Sequence, residues 1–313
     1  MYDKRYMKKI KAAHLIYKER QPLQEVAKAL GISRPTLAKL IDEILQEEIV
    51  SIQIKDPRNY QKYVEMGYRI KKRYKLKDAI IAESPSTDFN DITESIGSAG
   101  ADYFQDLVRG GMTIGTTGGR TIYALVSHLT VSSSIPDIRV ITTAGGSLYA
   151  NTKYHSNTIA QRLADLYGGT GHFIYAPTYT DNKEQRDMLI KNSQIKQTLD
   201  LCKSVDIALT GIGDIQSALN YLPRPADQWF RETSVDELAG AINTLLIDKR
   251  GQPFSSAVSE LFIGLGYDDL RNVDTVVALA GGESKYMAIK SALLGRYLDV
   301  LVTDQHTAAF LLQ

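Results

Sequence analysis

Three glycine-bearing corners carry the residues best suited to chemistry. Ile114-Gly115-Thr116-Thr117-Gly118-Gly119-Arg120-Thr121 joins an apolar strand pattern to a helical one. Gly118 and Gly119 let the backbone approach a ligand, and the helix start offers amide donors to an anion. Arg120 and Thr121 add a charge and a hydroxyl that suit phosphate. The spacing matches neither a Walker loop nor a dinucleotide fingerprint, so this is a phosphate or sugar loop or else a tight turn. In Thr210-Gly211-Ile212-Gly213-Asp214 the acid can accept hydrogen bonds from ligand hydroxyls or cap a helix. In Ala280-Gly281-Gly282-Glu283-Ser284-Lys285, Lys285 stands in a first helical turn, where a cation opposes the dipole. Either Glu283 or a bound phosphate offsets it. His155 and Asn157 open the helix after Ala144-Gly145-Gly146 and either read sugar hydroxyls or serve as caps.

No metal site is expected, because the five histidines lack ligand spacing. A Gly-x-Ser-x-Gly nucleophile motif is absent. Cys202, the only cysteine, lies in an apolar helical stretch, which excludes an intrachain disulfide and fits a reducing compartment.

From residue 78 onward the elements that must hold these corners alternate. Strand patterns fit 78–82, 112–116, 138–142, 172–175, 205–210, 273–280 and 298–303. Helical patterns fit 92–108, 120–129 and 157–167. Such alternation predicts a mostly parallel α/β sheet with helices on both faces, and ligands then bind outside the strands' carboxyl ends. Thr244 to Gly251 predicts a strand entering a tight turn, an antiparallel excursion.

The amino-terminal part follows a different logic. Pro22 to Leu40 predicts a helix-turn-helix, with Val26, Ala27 and Leu30 on one inner face and Gly31 at the reversal. Ser33 is a good N-cap, and Leu37, Leu40, Ile41 and Ile44 form the second inner stripe. Ser33, Arg34, Thr36 and Lys39 are thereby left as candidate DNA contacts, to base edges and phosphates. An upstream helix over 6–17 completes a three-helix core, and the alternation of residues 49–54 suggests a short strand, part of a wing. Asp56-Pro57 marks the boundary, so the expected organisation is a 1–55 DNA-binding domain, a 56–77 linker helix and a 78–313 effector domain.

Charge divides the same way. Residues 1–77 hold 19 basic and 9 acidic side chains, whereas the remainder holds 18 and 27. A basic head suits phosphate backbones and an acidic body repels them. With no apolar leader and no span-length segment, a cytoplasmic protein without a membrane partner is expected.

Taken in order, these motifs resemble the SorC family of bacterial transcription regulators. The marks are Leu30 to Thr36, Tyr74-Lys75-Leu76, Ile114-Gly115 with Gly119-Arg120-Thr121, and Tyr154-His155 with Asn157-Thr158. Gly211-Ile212-Gly213, Ala280-Gly281-Gly282 with Lys285, and Val302-Thr303-Asp304 complete the set. The resemblance implies a small all-α, winged helix-turn-helix domain ahead of an effector domain of the glucosamine-6-phosphate deaminase/ribose-5-phosphate isomerase fold. It implies a phosphorylated sugar or polyol as effector, no cofactor, and a homodimer or homotetramer on operator DNA. By the same likeness Gly119, Arg120, Thr121 and Lys285 hold the phosphate and His155, Asn157 and Asp214 contact the sugar, with Gly118, Gly213 and Gly282 as further effector-binding positions. Two positions depart from the family pattern. Ala144 replaces the lysine that forms a Schiff base in some members, so covalent capture is not expected. Gly240-Ala241-Ile242-Asn243 replaces Gly-Asp-Ile-Cys, which points to a different effector. The competing expectations are a phosphosugar isomerase or deaminase with a DNA-binding head, or an interaction platform with a dead pocket.

Overall fold

The computed structural model describes residues 3–131, 134–146, 151–222, 234–254 and 256–313. It divides into two compact units, Met1–Asn59 and Tyr60–Gln313.

In the first unit α1 (Lys4–Ala13) continues through one π-helical turn at His14–Lys18, followed by α2 (Leu23–Ala29) and α3 (Arg34–Gln46). Ala12, Val26, Leu37, Leu40 and Ile44 meet in a small core, so the helical spacing of the apolar residues is what gathers the three helices. Gly31 takes the left-handed conformation at the reversal (φ +61°). Asp3 caps α1 by accepting from the Arg5 and Tyr6 amides, and the Ser33 hydroxyl caps α3 by accepting from the Thr36 amide. Lys9, only 5% exposed, clamps α1 to the far end of α3 through Glu43 (2.7 Å) and Glu47 (2.6 Å).

The expected wing does not form among the described residues. Residues 49–56 make no strand, and Ile52 and Ile54 are exposed. Alternation fits a chain to a pleat but supplies no neighbour, and no second strand lies among the described residues of this unit to pair with it.

The second unit opens with α4 (Gln61–Tyr74) on β1 (Asp78–Ala82). The residues expected to form a linker helix belong to this body. Ile70 is fully buried, Gly67 lets the backbone touch the Ala79 carbonyl, and Arg73 and Tyr74 both donate to the Leu311 carbonyl. Next come α5 (Phe89–Gln105), β2 (Thr113–Thr116), α6 (Arg120–His128), β3 (Arg139–Thr142), α7 (Ser156–Tyr167) and β4 (Thr170–His172). The middle holds α8 (Lys183–Lys191), α9 (Ser193–Cys202), β5 (Ile207–Gly213), α10 (Ile215–Leu219), β6 (Leu238–Ile242) and β7 (Leu245–Asp248). The chain closes with α11 (Ser256–Ser259), α12 (Tyr267–Arg271), β8 (Thr275–Leu279), α13 (Tyr286–Leu294), β9 (Val300–Asp304) and α14 (Gln305–Leu312).

Among the described residues the sheet order is β1-β9-β8-β5-β2-β3-β4, all parallel, with β6 antiparallel to the end of β5 and β7 antiparallel to β6. Alternate residues feed two apolar layers: Ile207, Leu209, Val277 and Leu279 enter one, Ala208, Val276 and Ala278 the other. Burial on both faces explains why these strands read as continuous apolar runs. The strand expected at 172–175 lies earlier, at β4, because Arg139 to Ile141 pair with Thr170 to His172. β6 leaves no alternating pattern in the sequence because all five of its residues are buried.

Candidate functional site

Strands β8, β5 and β2 are neighbours, and their carboxyl ends deliver the three corners to one cleft of about 380 Å³. Chain order reverses there, since β2 leads outward to β3 and β4 while β5 leads the other way to β8. Ligands in open α/β sheets bind at such a reversal.

Gly118, Gly119, Arg120 and Thr121 line one wall. A Cβ at Gly118 would stand 2.6 Å from the Tyr154 carbonyl oxygen, and Gly119 adopts φ +126°, so both positions require glycine. The Gly119 amide donates to that same carbonyl at 2.9 Å. The Thr121 hydroxyl donates to the Leu279 carbonyl at 3.2 Å, which fastens the start of α6 to β8. No side chain among the described residues caps α6, so the positive end of its dipole is open to the cleft. Arg120 is exposed and lies over two rings, 5.4 Å from the Phe89 centroid and 5.8 Å from that of Tyr154.

Gly213 and Asp214 occupy the middle. Asp214 caps α10, its Oδ1 accepting from the Ser217 amide at 2.9 Å. Burial pushes this carboxyl upward, but hydrogen bonds from Ser217 and Ser284 and the charge of Lys285 prevail and hold it below its ordinary pKa.

Lys285 forms the third wall. It is 9% exposed, and its ammonium makes no hydrogen bond among the described residues. Burial lowers its pKa, Asp214 pulls it back up, and Arg120 lowers it further. Gly282 (φ +93°) sets the preceding turn rather than lining the cleft. Its amide is held by Asp304 Oδ2 and Thr307 Oγ1, each at 3.0 Å. Asp304 is fully buried and also accepts from the His306 and Thr307 amides, so it fixes the corner that aims Lys285.

The β6–β7 hairpin roofs the cleft. Asn243 and Thr244 both take left-handed conformations at its tip. The buried Asn243 carboxamide accepts from the Thr143 hydroxyl at 2.6 Å and donates to the Leu265 carbonyl at 3.1 Å. With its side chain spent on these struts, Asn243 leaves Ala241 and Thr244 as the hairpin's cleft residues.

Two expected sugar contacts stand outside this set. The His155 Nδ1 accepts from the Asn157 amide at 3.3 Å and caps α7, while its Nε2 lies against Gly146. The Asn157 Oδ1 is buried without a partner among the described residues. Phe89, Ser217, Tyr221 and Thr244 line the cleft without having been singled out by sequence. Phe89 carries no local signal, since only packing of α5 brings it there. Cys202 is buried with its thiol toward the Thr142 carbonyl, and burial pushes its pKa to about 12, an unreactive setting.

In the first unit Ser33, Arg34, Thr36 and Lys39 are all exposed along the start of α3. The Ser33 hydroxyl is also bonded to the Thr36 hydroxyl at 2.8 Å, and Arg34 donates to the α2 residue Gln24 at 2.9 Å. No helix among the described residues is long and apolar enough to cross a membrane.

An exposed recognition-type helix and a switch-point cleft define the class: a ligand-responsive transcription regulator. Residues 58–313 match the family described as "Putative sugar-binding domain". The chain is 28% identical to the deoxyribonucleoside regulator of Bacillus subtilis over 304 residues, 96% of this chain and 95% of that protein. It is also 28% identical to the sorbitol operon regulator of Klebsiella pneumoniae, covering 97% of each. The crystal structure of full-length SorC from Klebsiella pneumoniae superimposes with a TM-score of 0.75 at 26% identity and covers 100% of both chains. The chain belongs to this sugar-binding-domain family of SorC-type, sugar-responsive transcription regulators.

Proposed function

We propose that the protein binds operator DNA through α3 and that a phosphorylated sugar or polyol in the cleft sets its operator affinity. The observation that carries this reading is Lys285: a lysine buried by the fold, lining the cleft beside Arg120 and the uncapped start of α6, whose ammonium has no hydrogen-bond partner among the described residues. Two cations and an open helix dipole converging on one space suit a dianionic phosphate. Asp214, Ser217, Ser284 and Thr244 offer the polar groups that a hydroxylated chain needs. Arg34, Thr36 and Lys39 reach base edges and phosphates, with Ser33 supporting them as the cap. The protein works in the cytoplasm as a homodimer or homotetramer, since a two-fold pair of readers matches a palindromic operator.

The effector acts only through its difference in affinity for two arrangements of the readers, and a tenfold change in operator binding corresponds to about 1.4 kcal/mol. An enzymatic reading lacks support. His155, which would have to serve as the partner of Asp214 in acid-base catalysis, does not line the cleft. With Ala144 at the Schiff-base position, binding is non-covalent.

Calorimetric titration of the full chain with paired compounds tests the reading. Sorbitol 6-phosphate, glucose 6-phosphate and deoxyribose 5-phosphate are compared with the same compounds lacking phosphate. Saturable binding by at least one phosphorylated member, and at least tenfold weaker binding by its partner, is expected. Equal affinity within every pair would refute the phosphate assignment.

A further inference from the structure

Phe89 is the first residue of α5, where Asp88 caps the helix by accepting from the Asn90 and Asp91 amides. Its position is set by the packing of α5 on its neighbours. A Cβ at Gly97 would stand 2.5 Å from that of Ala124, so α5 lies directly on α6 and the two helices cannot slide independently. The Phe89 carbonyl also accepts from the Thr93 hydroxyl at 2.7 Å, which tightens the first turn. The result places one aromatic ring beside both cations of the cleft: 5.4 Å from Arg120 Cζ and 5.2 Å from Lys285 Nζ.

Those cations come from corners separated by more than 160 residues and share no hydrogen-bonded acceptor among the described residues. Like charges aimed at one space repel, so their convergence needs a compensating surface. Asp214 supplies part of it but is already bonded to Ser217. An aromatic face, negative at its centre, attracts a cation within about 6 Å without competing as a true anion would.

Resting on the proposed phosphate site, we infer that Phe89 is its positioning residue: the ring holds Arg120 and Lys285 convergent, so the site is preorganised for an anion. Preorganisation raises affinity by removing the cost of ordering long cationic side chains on binding. An aromatic side chain is therefore required at position 89, and an aliphatic one of similar volume will not serve.

The test compares F89L, F89M, F89Y and F89W with the unsubstituted full chain. Circular dichroism checks the fold, and calorimetry measures binding of inorganic phosphate and of the tightest sugar phosphate. F89L and F89M should each weaken binding about tenfold, while F89Y and F89W stay within about threefold of the parent. The R120Q substitution should cost less in the F89L background than in the parent, because the ring and guanidinium act together. A merely space-filling role would make F89L and F89M equal to the parent, or F89W the worst of the four, and either result overturns the inference. If F89L does not fold, F89M against F89W makes the same discrimination. If the unsubstituted chain binds no phosphate compound, the phosphate site itself fails and this inference with it. If the parent binds and all four variants bind equally, only the role of Phe89 falls.

Discussion

Two lysines are buried among the described residues, Lys9 in the three-helix unit and Lys285 in the α/β unit, and their surroundings are opposite. Lys9 donates to Glu47 at 2.6 Å and pairs with Glu43 at 2.7 Å, and these carboxylates hold its pKa above the usual lysine range. Lys285 has no such partner, and burial holds its pKa below that range. A cation satisfied by its own chain is part of the architecture, here tying α1 to α3. A cation buried by the fold but left without an acceptor has a ligand-sized gap in its bonding, and it sits where the sheet topology places ligands. The same residue type thus ties two helices together in one unit and lines the proposed effector site in the other.

Breaking the scaffold that aims Lys285 should have the largest effect. Asp304→Ala removes the acceptor for three backbone amides and should destabilise the α/β unit by about 2–4 kcal/mol, read as a lowered chemical-denaturation midpoint. A stability change under about 0.5 kcal/mol would deny Asp304 its structural role.

Lys285→Met and Lys9→Met sharpen the contrast directly. Lys285→Met should weaken sugar-phosphate binding roughly 10–100-fold, the worth of a charge-assisted hydrogen bond, yet leave the ligand-free melting temperature unchanged or raised. Lys9→Met should lower the melting temperature and leave ligand affinity alone. Melting curves with and without ligand decide between the two, and an exchange of these phenotypes would reverse the assignment.

The depressed Lys285 pKa gives a pH dependence. Between its folded value and the ordinary lysine range, the unfolded chain binds more protons than the folded one. Ligand-free stability attributable to this group therefore rises with pH across that window. Phosphate affinity should fall across the same window as the ammonium is lost, and titrations at rising alkaline pH check this. Affinity rising with pH would contradict it.

At the other unit, Arg34→Ala should weaken specific operator binding by about 1–3 kcal/mol. Ser33→Ala, which removes the α3 cap, should cost about 1 kcal/mol of stability. A DNase footprint and a thermal melt read these two effects.

Much of this is legible in the sequence. Helix-period apolar residues and the Ser33 cap located α2 and α3, because capping and inner stripes are local physics. Gly118, Gly119 and Lys285 were visible because positive φ, close approach and a cation at a helix start leave marks in the residue types themselves. What was hidden depends on neighbours in space. Alternation at 49–54 suggested a strand that had no partner among the described residues. Phe89 stands well before Arg120 in the chain and reaches it only because α5 packs on α6. Asp304 closes the Val302-Thr303-Asp304 motif, but its bond to the Gly282 amide depends on the pairing of β8 with β9. His155 can by its chemistry serve either as a ligand contact or as a cap, and the ring caps α7.

The most direct measurement is operator affinity with and without effector. DNA selected from genomic fragments by the full chain would be titrated by fluorescence anisotropy, at zero and saturating concentrations of the sugar phosphate that binds tightest. The account predicts at least a tenfold change in operator affinity for the unsubstituted protein and none for Lys285→Met at the same effector concentration. An operator affinity indifferent to every bound sugar phosphate, or a Lys285→Met variant that responds as fully as its parent, would contradict it.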